Sequence, residues 1–527
     1  MSKMSSVAGP NTAFRQWPAG VGLRVLALSL IAYAAPLRAQ SPSEAPIVPS
    51  RPAPLPLSGR QGQANSVSVT QSTTNSGGGN TVNTINSSVA VAGPFSGSTP
   101  IGRDSGNVLT LTLENALSLG LRSNLGVVDQ ASSVLQARGQ RTVARSELLP
   151  TINTVVSEAL ERINLRTAGV DSTMFPEAVK FNFYDARAAR LQQAVFDLVR
   201  IDNLHSTTEN LKANLKLTRN ARDLVVLAVA GTYVQVTATR ARVSAAQAQV
   251  ETSRAIYEQA ADRRSLGLAA RLDVNRSQVQ LQTEEQRLRS LQADLETQYL
   301  RLARIIGLPL GQKFTVAEDY NYSPLTEFTL ETALGRAFKN RPDLEAVDAG
   351  VRAAEAALRA ARAERVPTLM VNTDFGAAGL TPTHDSTGVY SVSGTLTIPL
   401  YEGGRIRGDI QQASAVLQQR KAELEDLRGQ VDEDVRQAFI NLNSAADQVA
   451  VAKSNVDLAH DTLTQSRDRF VVGVTDTVEV VQAEQAVVQA DDDYITAVFE
   501  HNLAKVSLAR AMGNAEQILP QLLRNSF

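Results

Sequence analysis

The sequence predicts a mainly α-helical protein with a small β part, built as two copies of one structural unit. Three observations in the 527 residues point there: an internal repeat, a helical stretch more than sixty residues long that carries an apolar seam, and one stretch of strict apolar–polar alternation. Composition narrows the function classes. With 52 basic against 53 acidic residues the chain lacks the basic excess of a nucleic-acid binder. The absence of cysteine excludes disulfides, thiolate metal sites, cysteine nucleophiles and a lipid-anchored N-terminal cysteine. Past the N-terminal segment no apolar run is read as approaching the roughly 20 residues of a membrane-spanning helix. Any membrane embedding is therefore expected to come from strands.

Residues 1–39 read as a secretory signal. Lys3, Arg15 and Arg24 precede any acidic residue, the stretch from Val25 to Ala35 has the length of an apolar core, and cleavage is expected after Ala39. The single tryptophan, Trp17, falls in this segment. Residues 40–106 form a linker rich in Pro, Ser, Gly and Asn, in which Pro46, Pro49, Pro52, Pro54 and Pro56 suggest an extended spacer. A weak alternation through Val82, Ile85, Val89 and Val91 offers a short docked strand, but the small apolar surface favours disorder.

The repeat sets the architecture. At an offset of about 217, Thr112-Leu113-Glu114-x-Ala116-Leu117 recurs as Thr329-Leu330-Glu331-x-Ala333-Leu334, and Pro150-Thr151 as Pro367-Thr368. At an offset of about 206, Asp262-Arg263, Gly267, Val274 and Gly307 return as Asp468-Arg469, Gly473, Val480 and Gly513. Self-similarity on this scale indicates two copies of one unit, here 107–317 and 318–515, followed by a tail, 516–527. Each copy opens with a helix started by a Thr-x-Glu turn and ended by a proline. Two strands around a loop follow, then a very long helical segment broken once at a glycine turn.

The clearest strand is the fourth. Tyr390, Val392, Gly394, Leu396, Ile398 and Leu400 alternate with Ser391, Ser393, Thr395 and Thr397, as in a barrel strand with one apolar face. Between Val179 and Leu198 the alternation is interrupted by Asp185 and Arg187, which are placed at a barrel rim. The long helix, from about Arg405 to Phe470, carries a seam that steps by three and four from Leu424 through Val431, Ala438, Leu442, Ala445, Val449, Ala452 and Leu463 to Phe470. At 1.5 Å per residue it runs on the order of 100 Å, a length suited to spanning a gap.

Taken together, the paired Leu-Glu-x-Ala-Leu openings, the Leu149-Pro150-Thr151 and Val366-Pro367-Thr368 strand starts, the run Ile398-Pro399-Leu400-Tyr401-Glu402-Gly403-Gly404-Arg405 and the hairpin Arg469-Phe470-Val471-Val472-Gly473-Val474 resemble the outer membrane efflux protein family, the TolC-like channels. The resemblance covers residues 109–513. It implies a homotrimer whose twelve strands close an outer-membrane β-barrel continued by a periplasmic α-helical barrel. It further implies an exit duct that joins a periplasmic adaptor and an inner-membrane transporter to expel small toxic compounds. Closure would also remove strand edges that lipid cannot hydrate. Tyr184, Phe196, Tyr390 and Tyr401 are then the interfacial aromatics. The turns Leu266-Gly267-Leu268-Ala269 and Val472-Gly473-Val474-Thr475 become the adaptor-docking positions. Asp273 and Glu479 match the acidic residues that family members place at the periplasmic gate. Two departures bear on that gate: Thr475 stands where an arginine occurs in some channels, and Gln482 replaces a second acid, so an ion-pair lock on Asp273 would need Arg271 or Arg469.

The run Asp491-Asp492-Asp493 reads as a solvated or lumen-facing charge strip. His205, His384, His460 and His501 lack ligand spacing, and no nucleophile elbow, phosphate loop or His-Glu-x-x-His helix occurs. No cofactor, no metal and no enzyme are indicated. The readings left beside the efflux duct are the outer-membrane component of a type I protein secretion system and an exported coiled-coil structural protein without a pore.

Overall fold

The computed structural model describes residues 67–73, 85–103, 106–168, 176–267, 269–317, 322–325, 329–382, 385–475 and 477–523. The export segment expected at 1–39, the first part of the linker, Leu268 and His384 lie outside those residues. The described chain begins with a hairpin of β1 (Val67–Thr73) and β2 (Ile85–Val91), followed by β3 (Leu109–Leu111). The first half then runs α1 (Leu113–Ser123), α2 (Leu125–Ser146), β4 (Thr151–Asn164), β5 (Ala178–Phe196), α3 (Leu198–Ser265), α4 (Arg271–Ile306) and β6 (Phe314–Val316). The second runs α5 (Leu330–Asn340), α6 (Pro342–Ala363), β7 (Thr368–Gly379), β8 (Thr387–Thr397), α7 (Arg405–Val471), α8 (Thr477–Ala511) and α9 (Ala515–Leu523). Corresponding helices have nearly equal lengths: 11 and 11 residues for α1 and α5, 22 and 22 for α2 and α6, 68 and 67 for α3 and α7, 36 and 35 for α4 and α8.

Each half opens on a threonine cap, as expected. Thr112 accepts the Asn115 N–H at 3.2 Å and Thr329 accepts that of Thr332 at 3.3 Å. The single helix expected up to each proline is in fact two. Asn124 leaves the helical backbone, accepts the Gly126 N–H at 3.0 Å and donates to the Phe95 carbonyl at 2.8 Å. In the second half Pro342 forces the residue before it, Arg341, to an extended φ −66°, ψ 118°. At these joints the long hairpins end. Ser123 donates to the Ile306 carbonyl at the end of α4 (2.8 Å), and Arg510 at the end of α8 lies 3.6 Å from Asp343.

α3 therefore changes neighbours along its length. Its first part pairs with α6 through Arg359–Asp202 and Arg352–Glu209, and its last part with α4 and α8 through Arg254–Glu285 and Arg242–Asp492. Between them, the stretch around Val225–Val236 is buried on nearly every side. Among the described residues this is the one helix whose 18-residue window is long and apolar enough to cross a membrane, and 78% of that window is buried inside the protein. The expectation that no such run exists is corrected: packing against α1, α4, α8, α9 and β6 from several directions demands apolar residues all round the helix.

The four long strands make one antiparallel sheet in the order β4-β5-β7-β8. Among the described residues both edge strands, β4 and β8, lack a partner on their outer side. The alternation of β8 holds, with Tyr390, Val392 and Leu396 being 79%, 70% and 60% exposed. The strand stops at Thr397, two residues before Pro399, so Ile398 and Leu400 lie beyond it. The opposite face is polar. Arg190 donates to Asp374 at 2.7 Å and Ser391 to the other Asp374 oxygen at 3.3 Å, one residue from each of three adjacent strands. Asp185 and Arg187 share that face as an ion pair at 2.6 Å. Asp185 stands opposite Ala378, the next-to-last residue of β7, where the four-stranded part gives way to the longer β4–β5 hairpin.

The disorder expected through 40–106 is corrected for β1 and β2, which pair antiparallel from Val67↔Val91 to Thr73↔Ile85. The seat is Gly231 in the middle of α3. A Cβ there would lie 2.4 Å from Val89 Cγ2, and valine is stiff at χ1. Gly231→Ala would favour the helix by up to about 1 kcal/mol yet overpack this seat by about 1–3 kcal/mol. Limited proteolysis should therefore cut between residues 67 and 91 on the order of tenfold faster than in the parent. An unchanged cutting rate would show that the notch does not hold the hairpin.

Candidate functional site

The two hairpin turns are built alike. Leu266 caps the end of α3 and Gly267 takes φ +77°; Val472 caps the end of α7 and Gly473 takes φ +78°. Glycine is favoured because an L side chain pays for the left-handed region. Around each glycine the apolar neighbours face outward, Leu266 at 72%, Val472 at 73% and Val474 at 68% exposed. Ala269 and Thr475 are half-buried. Six apolar or small positions at two adjacent tips thus form an unpaired surface, which is unusual for residues that burial stabilises.

Below the tips, Asp273 and Glu479 both occupy the third position of their helices, α4 and α8. They are 206 residues apart and so occupy equivalent positions in the two halves. At a helix N-terminus a carboxylate favours the dipole, and Asp273 also accepts the Ala270 N–H at 3.3 Å. Each acid does more than cap. Thr477 Oγ1 donates to Asp273 Oδ1 at 2.7 Å, tying the start of α8 to the start of α4. Glu479 takes Arg469 at 2.9 Å, Ser466 at 3.4 Å and the Thr475 hydroxyl. Of the two arginines considered for a lock on Asp273, Arg469 is thus spent on Glu479. The cation nearest Asp273 among the ion pairs is Arg276, one turn along the same helix at 4.0 Å.

The sequence reading gave no site role to three residues of this cluster. Thr477 is one. The others are Arg263 and Phe470: the Arg263 guanidinium donates to the Phe470 carbonyl at 2.6 Å and stacks 4.8 Å from the ring centroid, joining α3 to α7. The offset pairs Arg263 with Arg469 but does not say what either touches. The equivalent arginines do different work, one between hairpins and one within its own.

The remaining candidates are scattered. Tyr390 and Tyr184 lie towards the strand tips, opposite Phe375 and Gly379, whereas Phe196 ends β5 and Tyr401 follows β8 at 89% exposure. Asp491-Asp492-Asp493 is not one strip, because successive helical residues point about 100° apart. Asp491 lies 3.6 Å from His460, Asp492 pairs with Arg242 at 2.9 Å, and Asp493 is buried and accepts from Gln489. Burial pushes the Asp491 carboxyl up, against the pull of His460. His501 is buried with its ring 4.8 Å from Tyr322, and burial together with Lys505 lowers it to about 4. Among the described residues no cluster of three or more His, Asp or Glu is arranged to hold a metal ion.

This arrangement has known counterparts. The sequence model of the outer membrane efflux protein family matches residues 116–308 and 333–514, one block in each half. The pyoverdine export outer membrane protein OpmQ of Pseudomonas putida is 23% identical over 422 residues, covering 77% of this chain and 86% of that protein. The outer membrane protein TolC of Escherichia coli is 22% identical over 431 residues, 78% of this chain and 86% of TolC. The crystal structure of the Campylobacter jejuni CmeC outer membrane channel superposes with a TM-score of 0.68 at 15% identity, over 79% of this chain and 90% of CmeC. The duplicated halves, the four-stranded sheet and the long hairpins are those of a TolC-like channel, and the chain belongs to the outer membrane efflux protein family.

Proposed function

We propose that this outer-membrane efflux channel works as a homotrimer, three four-stranded sheets closing a twelve-stranded barrel in the outer membrane. The helices then continue into the periplasm as a hollow wall. The observation that carries the reading is the sheet itself: two long edge strands with no partner among the described residues, one exposed apolar face and one polar face. In lipid such edges must be paired, and closure with two further copies pairs them without another element. Tyr184, Phe196, Tyr390 and Tyr401 belong to the aromatic levels of that barrel.

In this reading the tips at Leu266, Gly267, Leu268, Ala269, Val472, Gly473, Val474 and Thr475 dock a periplasmic adaptor, which couples the duct to an inner-membrane transporter. Asp273 and Glu479 close the periplasmic aperture. Transport is passive and the chain performs no catalytic step. The cargo class is small toxic compounds, and one relative is named for pyoverdine export. A pore-free coiled-coil scaffold would leave the open-edged sheet without a purpose.

Negative-stain images of the detergent-extracted full chain test the assembly. Threefold particles longer than about 100 Å, the span of α3 by helical rise, are the expected result. Solid rods without a threefold axis would overturn it.

A further inference from the structure

The four long strands meet the helices at one end of the sheet. The register sets Thr151 opposite Gln192, Phe196 opposite Leu369 and Thr368 opposite Thr397. α2 and α6 therefore end, and α3 and α7 begin, within a few residues of one level. The charge at that level is uneven. Residues 138–147, 197–202, 359–365 and 402–409 hold nine arginines against six carboxylates.

Three of those arginines hold five of the six carboxylates. Arg405 takes Glu402, Glu364 and Asp409, Arg200 takes Asp197, and Arg359 takes Asp202. Arg145, Arg362, Arg365 and Arg407 are different. All four are exposed, and among the described residues their guanidiniums make no hydrogen bond and no ion pair.

Helix geometry accounts for two of the four. Arg145 and Arg362, equivalent across the 217-residue offset, lie in the last turns of α2 and α6, where a cation favours the dipole. Arg365 lies past the end of α6. Arg407 lies in the first turn of α7, the positive end of the dipole, and that turn carries no acid. An external anion would offset the charge that the protein leaves uncompensated there.

The neighbours indicate what carries that anion. Between these arginines and the strands stand Leu149, Ile398, Leu400 and Tyr401, all exposed. Exposed apolar side chains followed by exposed arginines match a bilayer boundary, where acyl chains give way to headgroups. The excess is confined to the helix end. Towards the strand tips, residues 158–180 and 379–387 hold five carboxylates against three Lys or Arg.

We propose that Arg145, Arg362, Arg365 and Arg407 form a docking surface for anionic phospholipids, whose phosphates the guanidiniums bind at the level where the sheet passes into the helices. A guanidinium can hold a phosphate through two parallel N–H···O bonds, and the apolar residues beside it receive the start of the acyl chains. The surface rests on the reading of the sheet as the membrane-spanning part, since only then do headgroups lie at this level.

The test uses the full chain in detergent micelles with phosphatidylglycerol and phosphatidylcholine carrying the same acyl-chain fluorophore, read by anisotropy. The parent should bind phosphatidylglycerol about tenfold or more tightly than phosphatidylcholine, and Arg407→Gln alone should weaken phosphatidylglycerol about fivefold. Replacing all four arginines by glutamine should abolish the preference and leave phosphatidylcholine binding unchanged. Should the fourfold variant fail to fold, Arg407→Gln decides. A control with the same change in charge replaces Arg264, Arg271, Arg301 and Arg304, exposed on α3 and α4, and should bind like the parent. A preference that survives the arginine substitutions, or falls equally in the control, would overturn the surface. Displacement of the labelled phosphatidylglycerol by an equal concentration of inorganic phosphate would also overturn it, in favour of a site for soluble anions. Single-channel conductance of the same proteins in planar bilayers separates this surface from the duct. Conducting pores without an arginine-dependent lipid preference defeat the surface alone, and that preference without conductance keeps the surface while removing the duct.

Discussion

Replacing Arg341 by methionine is expected to cost about 3–5 kcal/mol of stability, the penalty for breaking a buried ion pair from one side. Arg341 is only 4% exposed and bonds Asp343 and Asp434, the latter reaching in from α7. Removing the guanidinium leaves Asp343 with Arg510 at 3.6 Å and Asp434 without this partner, at the joint where α5 turns into α6. The pH dependence gives a second readout. Burial alone would raise the Asp343 carboxyl. The hydrogen bond from Arg341, the charges of Arg510 and Arg341 and the Leu344 N–H outweigh it and hold the group at about 2, from 3.8. Because the folded value lies below the unfolded one, this stabilisation is fully present above about pH 4 and is lost as the pH falls towards 2. It amounts to about 2 kcal/mol. Denaturant midpoints measured from pH 7 to pH 2 should show that loss in the parent and much less of it in Arg341→Met. Adding Asp343→Asn and Asp434→Asn to Arg341→Met should recover most of the neutral-pH deficit, since the orphaned charges carry the cost. No recovery would place the cost in packing instead.

What could be read from the sequence was what a residue's own element determines. The α7 seam from Leu424 to Phe470 is buried nearly as its spacing requires, and β8 forms over the alternating residues from Tyr390 to Leu396. What escaped depends on distant partners. The break at Asn124 is fixed by the Phe95 and Ile305 carbonyls, each supplied from elsewhere in the chain. The β1–β2 hairpin looked too poor in apolar surface to fold because the surface it uses, the notch at Gly231, belongs to α3. The apolar middle of α3 was overlooked for a related reason, since threonines, a glutamine and a glycine are interleaved in it. The aspartate run misled in the opposite sense: three like residues in sequence suggested one function, and helical geometry sent each to a different partner. At the turns the acids were found by family motif, although the 206-residue offset alone makes Asp273 and Glu479 a pair.

The pair yields the largest functional effect. If Asp273 and Glu479 close the aperture, Asp273→Ala with Glu479→Ala should raise the leak of the isolated channel on the order of tenfold, because two charge-assisted hydrogen-bond sets, each worth about 1.5–3 kcal/mol, are removed. Two explanations compete for these acids. As N-terminal helix residues they stabilise α4 and α8 by about 0.3–1 kcal/mol each, and their loss would fray the tips. As gate residues they join elements that must separate for opening: Thr477 to Asp273 across the two hairpins, Arg469 to Glu479 beside the turn. Thr477→Val separates the two, since it deletes the link between hairpins and leaves both carboxylates at their helix ends. If the gate reading holds, Thr477→Val alone opens the channel part of the way, with cation preference retained because the carboxylates remain. The double alanine variant opens it further and loses that preference. Planar-bilayer recordings of conductance and of reversal potential in a salt gradient measure both quantities. Unchanged conductance in the double variant would end the gate assignment. A leak in the double variant without any in Thr477→Val would reduce Asp273 to the helix cap that its position already supplies.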